Sequence, residues 1–139
     1  METCEVFAYK GFAYVFAVRE LSAPVRAISE GVGKLALSGI DHEELRLLVE
    51  LALGRYLVSA GAPSEAVANA ERAMKEAGLP PWSKFARVAR NVEVQRRDTR
   101  YTVRRANRSG SSFGGAMFES DVGEADVGKA LVSALEMKA

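Results

Sequence analysis

A long, largely apolar segment runs from Asp41 to Ala60 near the middle of this 139-residue chain. Asp41 is a suitable helix N-cap, and Glu44 three residues later gives a pattern typical of a capping box. Apolar residues then occupy most of the helical circumference, and such a helix is normally surrounded by other elements. The pattern therefore predicts a buried helix over residues 41–60 at the centre of the core.

Two other apolar stretches predict β-hairpins. Residues 3–19 are rich in Val, Phe and Tyr on either side of Lys10-Gly11, a dipeptide that favours a tight turn. A single helix over residues 12–21 is the alternative, because short apolar runs do not distinguish the two structures. Residues 91–105 alternate more clearly, with a turn at 97–100. The apolar face of this second hairpin consists of Val92, Val94, Tyr101 and Val103.

The remaining segments are assigned from caps, glycines and prolines. Ser22 and Pro24 predict the start of a helix that ends near Leu37, and Ser64 predicts a second helix that ends at Gly78. Further expectations are a short helix or turn over residues 82–89, a loop over 107–115, a short strand over 116–119 and a last helix over 123–137.

This order of strands, helices, strands and a final helix defines an α+β protein. We expect a small antiparallel sheet, formed by the N-terminal hairpin and the 91–105 hairpin, packed on a layer of four to five helices around the buried helix 41–60. The sequence does not decide whether both hairpins belong to one sheet. The length and the lack of an interdomain linker predict a single globular domain over residues 1–139.

Composition narrows the function classes. No apolar run reaches the roughly 18 residues that cross a bilayer, so we expect no membrane insertion and a cytoplasmic location. The single cysteine, Cys4, excludes an internal disulfide and a multi-cysteine metal site. Arginine outnumbers lysine, and Gln and Asn are few, a bias compatible with a thermophilic source or with a GC-rich genome.

The net charge of +1 hides a strongly basic segment. Nine basic residues and only two acidic residues lie between Lys84 and Arg108. Arginine binds phosphate in bidentate fashion, and an aromatic ring next to it offers a face for base stacking. The pattern predicts binding of RNA, DNA or another polyanion through an arginine-rich β-hairpin. The candidate nucleic-acid-binding residues are Arg96, Arg97, Arg100, Tyr101, Arg104, Arg105 and Arg108.

Two other interpretations stay open for these arginines. In the first interpretation the arginines belong to a solvated strand edge. In the second they pair with acidic surfaces within the chain or in a neighbour. The second interpretation predicts a homo-oligomeric structural or protein-interaction module with no catalytic activity, and the aromatic N-terminal segment would suit a homo-oligomer interface. A third is a small-molecule enzyme whose site forms only between subunits.

Other motifs carry weaker signals. The glycines and hydroxyls of residues 109–115 suit an anion but lack the ending of a P-loop, and Gly31-Val32-Gly33 lacks the third glycine of a dinucleotide fingerprint. His42 stands among carboxylates, but consecutive helical positions do not converge on a metal. Since no catalytic spacing occurs, we expect no cofactor and no metal, name no catalytic residue, and leave enzymatic activity undecided.

Overall fold

The computed structural model describes residues 1–21, 26–109 and 112–137. These residues form seven strands and four α-helices in a mixed α+β arrangement. The strands are β1 (Glu2–Tyr9), β2 (Phe12–Leu21), β3 (Arg26–Ala36), β4 (Leu57–Ser59), β5 (Arg90–Arg97), β6 (Arg100–Ser109) and β7 (Ser112–Gly123). The helices are α1 (His42–Gly54), α2 (Pro63–Glu76), α3 (Trp82–Val88) and α4 (Val127–Glu136), the last preceded by a 3-10 turn at Glu124–Asp126.

All seven strands belong to one open sheet of order β3-β2-β1-β5-β6-β7, in which every neighbouring pair is antiparallel. The short β4 adds a parallel pairing to the end of β2. Both predicted hairpins are confirmed, and pairing of β1 with β5 joins them into one sheet. At the β1–β2 turn, Lys10 and Gly11 both have positive φ, as a two-residue type I′ turn requires.

Helices cover both faces of this sheet, so the prediction of one helical layer is wrong. Successive residues of β1 point in opposite directions. Val6 belongs to a core cluster with side chains of α1 and α4, whereas the next residue, Phe7, belongs to a second cluster with side chains of α2 and α3. Because β1 is buried on both faces, its residues 6–8 form an apolar run without alternating polar positions.

The predicted buried helix 41–60 is wrong in length and in burial. α1 ends at Gly54, and the following residues turn away to pair as β4 with β2. Only one stripe of α1 is buried, made of Leu45, Val49, Ala52 and Leu53. Leu47 and Leu51 on the outer side are 55% and 46% exposed, so α1 is a surface helix with an unusually apolar outer face.

The predicted helix over residues 22–37 is a strand where the structure describes it. Ser22 and Pro24 lie outside the described residues, and β3 runs from Arg26 to Ala36 along β2. Gly31 and Gly33 weaken a helix, while β2 offers a complete set of hydrogen-bonding partners. At Gly33 a β-carbon would lie 2.9 Å from the Leu48 side chain, so this glycine lets α1 approach the sheet closely.

The predicted loop over residues 107–115 and the predicted short strand over 116–119 are both parts of a longer hairpin. β6 continues to Ser109 and β7 begins at Ser112, while residues 110 and 111 lie outside the described part. The register shifts on both sides of Ala106, so the ladder contains bulged pairing. Polar and glycine residues are compatible with such irregular strands at the edge of a sheet.

The other predicted helices are confirmed with shifted bounds. The segment 64–78 forms α2, the segment 82–89 forms α3, and the segment 123–137 forms the 3-10 turn and α4. Among the described residues, no helix has the length and apolar character needed to cross a membrane.

Candidate functional site

The seven candidate residues on β5 and β6 do not share one surface. Because side chains alternate along a strand, Arg96, Tyr101 and Arg105 point to the face that carries α1 and α4. Arg97, Arg100 and Arg104 alternate with them and belong to the opposite face. The side chain of Arg108 lies outside the described residues.

Arg96 and Tyr101 are engaged by carboxylates of the same chain. Arg96 donates from Nε to Glu2 Oε1 at 2.7 Å and from Nη1 to Glu50 Oε2 at 2.5 Å. The Tyr101 hydroxyl donates to the other oxygen of Glu50, and burial together with this hydrogen bond raises the pKa of Tyr101. Tyr101 is only 3% exposed, so its ring has no free face for base stacking.

Arg90 and Arg105 terminate α4. The last carbonyls of a helix have no partner within the helix, and they form the negative end of its dipole. Arg90 Nη1 donates to the Leu135 carbonyl at 2.6 Å, and Arg105 Nη1 donates to the Ala134 carbonyl at 3.0 Å and also to the Met137 carbonyl. Two charges of the basic segment therefore stabilise a helix end.

The other three arginines, Arg97, Arg100 and Arg104, lie on the face of the sheet opposite α1 and α4. Arg97 and Arg100 are exposed, and Arg97 Nη2 lies 3.8 Å from the Met1 sulfur. Arg104 stands in register between Glu93 on β5 and Glu119 on β7. Cross-strand pairs of opposite charge attract each other, so the charge of Arg104 is offset by its two neighbours, whereas Arg97 and Arg100 lie opposite each other and form a basic pair at the turn. The basic segment from Lys84 to Arg108 has a net charge of +7, from nine basic and two acidic residues. On β5 and β6 this charge is divided between the two faces of the sheet and partly neutralised.

The weaker candidates do not form a site. His42 is exposed at the start of α1, and the neighbouring Asp41 carboxylate caps the helix by accepting from the backbone N–H groups of Glu43 and Glu44. Cys4 is fully buried, and burial raises the pKa of its thiol strongly. Within the described residues, no group of three or more His, Cys, Asp or Glu side chains is placed to hold a metal ion.

A groove that the sequence did not predict lies on the face of α2 and α3. Its volume is about 1030 Å³, and it runs between α2 and the segment that leads into α3. Ile28 of β3 and Met74 of α2 contribute apolar lining, and the half-exposed Trp82 lies at its side. Glu5 of β1 contributes a carboxylate. The only hint in the sequence was Glu5, an acid directly before the apolar run of residues 6–8 in β1.

The Glu5 carboxylate is in an unusual environment. It lies directly across from Glu93 on the neighbouring strand, and Asn91 Nδ2 donates to it at 3.4 Å. Burial, and the repulsion from Glu93, raise the pKa of Glu5 to about 7. Arg26 pairs with Glu93 at 3.0 Å, and no lysine or arginine of the described chain comes within ion-pair distance of Glu5.

Comparison with known proteins shows a shared fold and no sequence family. No protein-family model and no curated protein matches this sequence. A chain of the CdiA-CT/CdiI toxin and immunity complex from Yersinia pseudotuberculosis is similar over 96% of this chain and 95% of that chain, with a TM-score of 0.72 and 11% identity. A protein of unknown function from Neisseria meningitidis, NMB0488, is similar over 97% and 91%, with a TM-score of 0.67 and 9% identity. At these identities the likeness is one of fold.

Proposed function

We propose that this protein is a protein-interaction module, and that the outer face of α1 is its contact surface. The observation that carries the proposal is the exposure of Leu47 and Leu51, one turn apart on the side of α1 that faces away from the sheet. Leu57 and Val58, just beyond the end of α1, are also more than half exposed. Large apolar side chains grouped on a surface are typical of sites that another protein covers.

Two further observations support this proposal over nucleic-acid binding. Arg96 and Arg105 are used inside the fold, which agrees with the interpretation that the arginines pair within the chain. The similar chain from Yersinia pseudotuberculosis comes from a complex of two proteins, toxin and immunity. A fold of this kind is therefore compatible with a stable protein partner.

The test begins with site-specific photo-crosslinking in cells of the source organism. A photoreactive residue replaces Leu51, and a control variant carries it at the exposed Arg72 on α2. We expect one protein to be captured from position 51 and not from position 72. That protein is then purified, and its affinity is measured for the wild type and for the Leu47→Ser/Leu51→Ser variant. A loss of at least tenfold is expected, because core contacts of an interface are apolar.

Two outcomes would contradict the proposal. Capture of the same proteins at both positions would show that the α1 face has no specific partner, and so would equal affinity of the purified protein for both variants. Light scattering of the pure protein from low to high micromolar concentration separates a second copy of this chain from a different partner. A dimer that dissociates in the Leu47→Ser/Leu51→Ser variant would identify the homo-oligomer that the sequence predicts.

Nucleic-acid binding through the exposed Arg97 and Arg100 stays a prediction with its own test. Binding to labelled RNA and DNA is measured between 50 and 300 mM salt for the wild type and for an Arg97→Ala/Arg100→Ala variant. Affinity that falls steeply with salt and is lost in the variant would support phosphate contacts. This variant leaves Arg96 and Arg105 in place, so a loss of binding would not reflect a loss of folding.

A further inference from the structure

The groove beside α2 has the size and lining of a small-molecule site. Its volume of about 1030 Å³ is at the upper end of what ligand pockets of about 300–1,000 Å³ offer. Most of its surface is apolar, with Ile28, Met74 and Leu79 among the residues that form it. The groove lies on the face of the sheet opposite α1, so an inference about it is independent of the proposed protein contact.

The charged groups of the groove leave one carboxylate without a salt bridge. Glu5 and Glu93 face each other across neighbouring strands, and Arg26 binds only Glu93. Gln95 donates to the other oxygen of Glu93 at 2.8 Å, so Glu93 has two partners. On α2, Glu71 and Lys75 line the groove with opposite charges one turn apart. Two carboxylates therefore share one guanidinium at the sheet end of the groove. Arg26 forms its salt bridge with Glu93 and acts on Glu5 only at longer range, so Glu5 is the carboxylate without a salt bridge.

We propose that this groove binds a small amphiphile with an apolar body and one primary ammonium group. The apolar body lies along Ile28, Met74 and Trp82, and the ammonium group donates to Glu5. An anionic head would be repelled by Glu5 and Glu93, and a neutral head would leave the charge of Glu5 unmatched. Trp82 lines the groove, so its ring would contact the bound chain.

The pKa of Glu5 in the protein without ligand supports this proposal and predicts how the affinity depends on pH. At a pKa of about 7 the side chain is half protonated at neutral pH, and only the ionised form attracts an ammonium group. An alkyl ammonium resembles a lysine side chain, with a pKa near about 10.4, so it stays charged throughout the measurement. Linkage then predicts that the dissociation constant falls about tenfold from pH 6 to pH 8.

Trp82 is the only tryptophan of the chain and reports on the groove directly. Its fluorescence is titrated with decylammonium, decanol and decanoate below their aggregation concentrations, at pH 6 and pH 8. We expect saturable binding of decylammonium at least tenfold tighter at pH 8 than that of the other two probes. In Glu5→Gln this preference and the pH dependence should both disappear, whereas Glu44→Gln on the far side of the sheet should behave as wild type.

The location is tested separately with Ala70→Phe, which fills the groove from α2. Circular dichroism establishes that each variant is folded, and the pH dependence of the wild type needs no variant at all. Loss of decylammonium binding in Ala70→Phe would support the groove as the site. The proposal is overturned by equal binding of decylammonium and decanol, by an affinity independent of pH, or by unchanged binding in Ala70→Phe.

Discussion

Arg105→Ala is expected to destabilise the protein strongly although arginine is usually a surface residue. Arg105 is 4% exposed, and its guanidinium donates to the carbonyls of Ala134 and Met137 at the end of α4. Hydrogen bonds from a charged donor contribute about 1.5–3 kcal/mol each, and a buried carbonyl left without a donor costs about 1–3 kcal/mol. Because these terms overlap, we expect a loss of about 3 kcal/mol of unfolding free energy.

Urea denaturation followed by circular dichroism measures this loss. With a urea slope of about 2 kcal/mol per molar for a domain of this size, the midpoint should fall by about 1.5 M. Arg100→Ala is the matched control, because Arg100 is on the same strand but exposed, and its midpoint should change by less than about 0.3 M. Arg105→Lys keeps the charge without the forked geometry and should fall between the two.

One result would contradict the role of Arg105 at the end of α4. If Arg105→Ala unfolds at the same urea concentration as Arg100→Ala, then the guanidinium of Arg105 does not stabilise the end of α4, and Arg105 is available for a ligand. If Arg105→Ala is strongly destabilised, a loss of nucleic-acid affinity in that variant says nothing about phosphate contacts. For this reason the salt titration of binding uses the exposed arginines.

Three further predictions concern a tight helix contact, a buried carboxylate and a buried thiol. At Gly128 a β-carbon would clash with the backbone carbonyl of His42, so Gly128→Ala should separate α4 from α1 and lower the free energy of unfolding, measured in urea, by about 3 kcal/mol. Gly54→Ala is the control, because the space around Gly54 is open, and it should be neutral or slightly stabilising. The pKa of Glu5 is raised from 4.5 to about 7, so the folded state holds its proton more tightly and the free energy of unfolding should fall as the pH rises through this window. A shift of this size corresponds to about 3 kcal/mol, so Glu5→Gln, which cannot ionise, should be about 3 kcal/mol more stable than wild type at pH 8, but not at pH 4. Cys4 is buried with a raised pKa, so it should react with a thiol reagent such as 5,5′-dithiobis(2-nitrobenzoate) only after unfolding, and rapid reaction of the native protein would contradict this burial.

Local patterns in the sequence were sufficient for several elements. Lys10-Gly11 between two apolar runs predicted the first hairpin, and the alternation from residue 91 predicted the second. Asp41 predicted the start of α1 because N-capping depends only on the next few residues. Such features are contained within one segment, so the sequence determines them without knowledge of the rest of the fold.

The same patterns failed where a distant strand decided the outcome. The helix signals of residues 22–37 were weak, and β2 offered partners that turned Arg26–Ala36 into β3. The outer leucines of α1 suggested burial because a sequence shows that a residue is apolar but not whether another element covers it. Here β4 and the sheet leave that side open, and Leu47 is exposed.

The arginines of the candidate site show most clearly what the sequence determined and what only the tertiary structure decided. The sequence determined that nine basic residues lie close together between Lys84 and Arg108, with few acids among them. Only the tertiary structure decided their partners, because Glu50 is 46 positions from Arg96 and the Ala134 carbonyl is 29 positions from Arg105. A buried guanidinium must be satisfied by whatever acceptors the fold brings to it. Charge density is therefore a property of the sequence, whereas availability for a ligand is a property of the packing.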